Sequence, residues 1–166
     1  MAGSHIFTVL MANQTIVADA TLVIIRTAAA LTTRASLIEV LRIWVNQIGT
    51  EASDELGVII GQKASAFGTY TSTTPAPHVI GGAASGIAGG TSGAAATAGT
   101  DASAEGAGTV TATIEEGFNN LNGYLWVPTP EERIIVPTDT AIITKMVGTP
   151  AVLTGWNAGM TFTEIN

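Results

Sequence analysis

Apolar and polar positions alternate with period two along much of this chain. "TVTATI" sets Val110, Ala112 and Ile114 against Thr109, Thr111 and Thr113, the pattern of a half-buried strand. "LGVII" repeats it with Leu56, Val58 and Ile60, and "MTFTEI" sets Met160 and Phe162 against Thr161 and Thr163. In "LNGYLWV" Leu121, Leu125 and Val127 share one face and Tyr124 and Trp126 the other. Neither face is polar, which predicts cover on both. "ERIIV" and "TAIITKMV" read as further short strands. Turn signals ("GFNNLNG", "VPTPEE", "VPTDT", "GTP", "LTGWNAG") separate these runs. Pro128, Pro130, Pro137 and Pro150 fall among them, because proline cannot donate to a central ladder. Short strands so punctuated predict an all-β sandwich or barrel.

One segment fits two patterns. In "SLIEVLRIWVNQIG", Ser36 and Glu39 could form a capping box, Leu37, Leu41, Trp44 and Ile48 line one helical face, and Gly49 end the helix. The same residues also read as a strand covered on both sides, joined through "GTEASDE" to "LGVIIGQ" as a hairpin. The β-rich context favours the strand.

Gly81–Gly108 breaks the alternation. Nineteen of its twenty-eight residues are Gly or Ala, and only Ile87 is large and apolar. Such a stretch offers little area to offset the backbone entropy of ordering, about 1–2 kcal/mol per residue. It is also long for a loop. It reads as a surface excursion lying against a neighbouring subunit, with Asp101 and Glu105 near solvent.

Composition narrows the function. Of 166 residues, 46% are hydrophobic and 11% charged, against a usual charged share of about 25%. A surface so poor in charge suggests cover by partner subunits. Six Lys and Arg against thirteen Asp and Glu leave a net charge of −7, which disfavours nucleic acid and anionic membranes as partners. There is no cysteine, hence no disulfide or thiolate chemistry. "MAGSHIFTVLM" lacks the charged start of a secretory signal. The most apolar run, residues 16–31, is broken by Asp19 and Arg26.

No motif carries catalysis. His5 and His78 have no His, Asp or Glu at metal-ligand spacing. "GVIIGQK" fails the phosphate-loop pattern. "DASAEG" places Asp101, Ser103, Glu105 and Gly106 as in a calcium loop, but its twelfth position is Ala112 rather than Glu. Glu115–Glu116 and Glu131–Glu132 are neighbours, and neighbouring side chains on a strand point to opposite faces. No catalytic, cofactor-binding or metal-binding residue is therefore expected. The candidate subunit contacts are Trp44, Tyr124, Trp126 and Trp156, since aromatic residues are favoured at interfaces. The alternative for the three tryptophans is a sugar-binding platform.

The hairpin "IEVLRIWVNQIGTEASDELGVIIGQKASAFGT" resembles the central hairpin of small jelly-roll proteins encoded by tailed bacteriophages. The block "EEGFNNLNGYLWVPTPEERIIVPTDTAIITKMVGTPAVLTGWNAGMTFTEI" resembles their C-terminal half. The resemblance spans Ser36 to Ile165 and implies a tumour-necrosis-factor-like antiparallel jelly roll of about eight strands in two sheets. It implies a non-enzymatic virion component: a homotrimer decorating the outer surface of the capsid, partnered by the major capsid protein or another virion protein. The alternative role is the receptor- or glycan-binding head of a phage fibre. On this reading residues 1–35 form an N-terminal arm or first strands. Residues 36–166 form the jelly-roll domain, with 81–108 as its excursion.

Overall fold

A computed structural model describes residues 5–29, 37–49, 52–90 and 96–165. The described chain is an all-β sandwich of jelly-roll-like form, with two antiparallel sheets facing one core. Among the described residues thirteen strands form rather than about eight, because several edge pairings last only two or three residues. The strands are β1 (Ile6–Gln14), β2 (Thr21–Arg26), β3 (Ile38–Gln47), β4 (Glu55–Lys63), β5 (Gly68–Ser72), β6 (Ala76–Pro77) and β7 (Ala88–Gly89). They continue with β8 (Thr97–Glu105), β9 (Val110–Asn119), β10 (Tyr124–Trp126), β11 (Ile135–Val136), β12 (Ala141–Val147) and β13 (Trp156–Glu164).

The first sheet runs β10-β3-β13-β1-β6, with β11 also on β3. The second runs β5-β8-β2-β12-β4-β9, with β7 also on β8. Alternation decides which side chains enter the core. Phe7, Val9 and Met11 of β1, Met160 and Phe162 of β13, and Leu56, Val58 and Ile60 of β4 are buried together. The segment from Ile38 to Gln47 is strand throughout, so the helical alternative does not form. Ser36, its proposed cap, lies outside the described residues.

Among the described residues of the N-terminal stretch two strands form, in keeping with the reading of first strands. β1 lies between β13 and β6, and β2 lies between β8 and β12. The apolar run from Leu22 to Ile25 is fully covered on both faces.

The Gly/Ala tract departs furthest from expectation. Thr97–Glu105 is an internal strand, and Ile87 is buried in the main core with Ala98. The small residues answer to space rather than to disorder. A Cβ on Gly99 would lie 2.7 Å from Tyr70 Cβ, and one on Gly90 would lie 2.6 Å from Thr97 Cβ. Glu164 fixes the approach to β7: its Oε1 accepts hydrogen bonds from Ser85 Oγ at 2.6 Å and Gly86 N at 2.8 Å.

Beyond the main core lies a second, smaller one. β4 runs on into β5, and β8 into β9. Because β4 pairs with β9 and β5 with β8, these four strands form one bent ribbon that folds over the outer side of β2 and β12. It covers Ile24, Ala141 and Ile143 with Phe67, Tyr70 and Ala102. Asp101 occurs at positive φ in a β8 bulge and is half-buried. At the edge of this core Lys63 is buried, its Nζ 3.4 Å from Glu105 Oε2 and 3.2 Å from the carbonyl of Gly106. Glu105 Oε1 also accepts from the backbone N–H of Thr21.

Candidate interaction face

The outward face of the first sheet carries an apolar row. Register places Leu125 beside Trp44, Trp44 beside Gly159, and Gly159 beside Leu10. The row crosses four strands, about 14 Å at the usual strand spacing. Leu125 is 65% exposed and Leu10 50%. Val127, just past β10, and Ile135 of β11 add exposed apolar surface on the same side of the molecule. The "LNGYLWV" segment is thus covered on one face only. Tyr124 turns inward, whereas Leu125 and Val127 are bare.

Trp44 is held in place within the row. A Cβ on Gly159 would fall inside its indole, so only glycine leaves the ring room to lie across β13. The Arg42 guanidinium sits 4.6 Å from the ring centroid, a cation–π contact that fixes the ring further. Polar rows border the apolar one. On one side Asn157 Nδ2 donates to Asn46 Oδ1 at 3.0 Å. On the other, Thr161 Oγ1 lies 3.0 Å from Thr8 Oγ1, which lies 2.7 Å from His78 Nε2. An apolar centre with a polar rim is the usual anatomy of a protein contact.

The four aromatic candidates separate. Trp44 stands on this face, half-buried. Trp126 turns inward and packs against the core. Tyr124 is buried, its ring 6.1 Å from that of Phe118. Burial above all, and then the neighbouring Glu116, hold its hydroxyl well above the usual tyrosine range. Trp156 is wholly buried, edge-on to Phe118, and its Nε1 donates to the carbonyl of Val152 at 3.0 Å. Tyr124 and Trp156 therefore correct the expectation of subunit contact: their surfaces are spent inside the chain. The same burial removes Trp156 from any sugar platform. Leu10 and Gly159 belong to the face without having been singled out in sequence. Leu10 could have been found from its outward place in "IFTVLM".

The chemical candidates remain apart. His5 stacks on Phe7 and His78 bonds Thr8. Among the described residues no group of three or more His, Cys, Asp or Glu could hold a metal ion. Glu105 is taken up by Lys63 and Thr21. Glu132 Oε2 accepts from Thr129 Oγ1 at 3.0 Å within a single 3-10 turn, Pro130–Glu132. No helix among the described residues is long and apolar enough to cross a membrane. Compared with known proteins, the chain matches no family model, no curated protein and no solved structure.

Proposed function

We propose that this chain is a structural subunit of a phage virion: a homotrimeric decoration protein on the outer surface of the capsid, seated on the major capsid protein or another virion protein. The observation that carries the reading is the apolar row Leu125–Trp44–Gly159–Leu10, set on a rigid sheet and rimmed by polar residues. Burying it in an assembly is favourable at about 25 cal/mol per Å² of apolar surface. The jelly-roll-like sandwich and the resemblance of Ser36–Ile165 to phage jelly-roll proteins support the same reading. A net charge of −7 suits a position away from packaged DNA.

The test is binding to emptied heads of the phage that encodes the chain, followed by sedimentation, alongside native mass spectrometry of the free protein. The wild type is expected to be trimeric and to sediment with the heads, and Leu125→Asp and Leu10→Asp to lose both properties while staying folded. A monomeric wild type that stays in the supernatant would overturn the reading.

A further inference from the structure

A different surface carries an apolar tip beside an apolar hollow. Val79–Gly82 is a tight turn, closed by a 2.8 Å hydrogen bond from Gly82 N to the carbonyl of Val79. At its tip Ile80 is fully exposed, at 102%, with Val79 beside it at 58%. The turn is fixed at both ends. His78 N donates to the carbonyl of Ile6 at 2.9 Å and its ring reaches Thr8, while Ser85 and Gly86 are held by Glu164. An isoleucine held out on so short and doubly anchored a loop is presented in a defined position. Next to it lies a cavity of about 110 Å³ lined by His5, Phe7, Pro77, Val79 and Ala83, most of whose wall is apolar.

We propose that Ile80 is the knob and this hollow the socket of a contact between two copies of this chain. Charge favours a second copy as the occupant. Two identical chains of net charge −7 repel wherever like charges meet, so a self-contact is best placed where charge is absent. From Ala64 to Thr100 there is not one Asp, Glu, Lys or Arg, and this stretch supplies the tip and most of the socket. Val79 lines the socket and adjoins the knob, so both belong to one patch. A patch bearing both halves of a contact is self-complementary and closes about a two-fold axis instead of growing into a filament, so here it would pair two of the trimers that the functional reading expects. The proposal shares with the functional reading only the expectation of self-association, and it uses a different surface.

Sedimentation equilibrium on purified full-length protein tests it with Ile80→Asp, which alters the knob, and Ala83→Leu, which fills the socket. Both positions are exposed, so both variants are expected to melt like the wild type. Each alone is expected to self-associate at least about tenfold more weakly, the loss expected from a hot-spot position. Mixed together, Ile80→Asp supplies an intact socket and Ala83→Leu an intact knob, so the mixture is expected to recover part of the association. If Ile80→Asp associates as the wild type does while Leu125→Asp dissociates, the knob is refuted and the functional reading stands. If the wild type stays monomeric at every concentration, both fall.

Discussion

Lys63 and Glu105 meet at 3.4 Å across the edge of the second core, the lysine buried and the glutamate partly open to solvent. Removing the carboxylate would leave a buried ammonium with the Gly106 carbonyl as its remaining bonded partner. Breaking a fully buried pair costs about 3–5 kcal/mol, and the partial exposure of Glu105 reduces this to about 1–3 kcal/mol. Glu105→Ala is therefore expected to lower the free energy of unfolding by that amount in a urea titration. Combining Lys63→Met with Glu105→Gln is expected to recover most of it, because no buried charge is then left unpaired.

Glu164 ties the start of the Gly/Ala tract to β13. Without its carboxylate, Gly86 N and Ser85 Oγ lose their acceptor. Glu164→Ala is expected to cost about 1–3 kcal/mol. Hydrogen exchange checks where the loss falls. Protection should drop at Gly86 and Ile87 and persist along β8, whose ladder to β2 does not depend on this anchor.

The pH dependence has two arms. Burial raises the carboxyl pKa of Asp101 above its ordinary value. The folded state then binds the proton more tightly than the unfolded chain, so ionisation of this group destabilises the fold at neutral pH. The penalty fades as pH falls through the folded pKa towards the unfolded one. Asp101→Asn also keeps a residue that tolerates positive φ. It is expected to raise the melting temperature at neutral pH, with the gain shrinking as pH approaches about 4. At the alkaline end both tyrosines are raised by burial, Tyr70 further by Glu105 and Tyr124 by Glu116. In the unfolded chain they ionise near pH 10, so stability falls as pH rises above that value. Tyrosinate absorbance is expected to appear together with unfolding, not before it.

Gly159 gives Trp44 its place on the outer face. Gly159→Val would force the indole off β13, at an overpacking cost of about 1–3 kcal/mol. The expected signature is a red-shifted tryptophan emission in a protein that keeps its β circular dichroism. An unshifted emission with unchanged stability would show that the ring does not need the gap.

The strands legible in sequence were those whose large apolar residues alternate. Val58, Ile60, Met160 and Phe162 were assigned to the correct face because a sandwich core selects bulk at every second position. β8 was illegible for the opposite reason. Its neighbours, Tyr70 above all, fill the space, so Ala98, Gly99 and Ala102 carry almost no signal in a hydrophobicity pattern. The bulge at Asp101 also breaks the alternation that could have revealed the strand. The apolar row was half legible. Leu125 could be placed opposite Tyr124, but which of two apolar faces lies bare depends on the register of β10 with β3, and that pairing is non-local.

The antiparallel pairing of β1 with β13 joins Phe7 to Phe162 and Val9 to Met160. A strand near the start of the chain thus reaches its main partner only after Trp156–Glu164 has been synthesised. Until then β1 and β3 each present an unpaired edge where β13 will lie, and the inner faces of both sheets stay open. Non-local pairings of this kind close slowly. A nascent chain with open edges is also prone to pair with its neighbours. Synthesis from many ribosomes at once therefore exposes this molecule to mispairing, and its yield in soluble form depends on how fast one strand finds its slot.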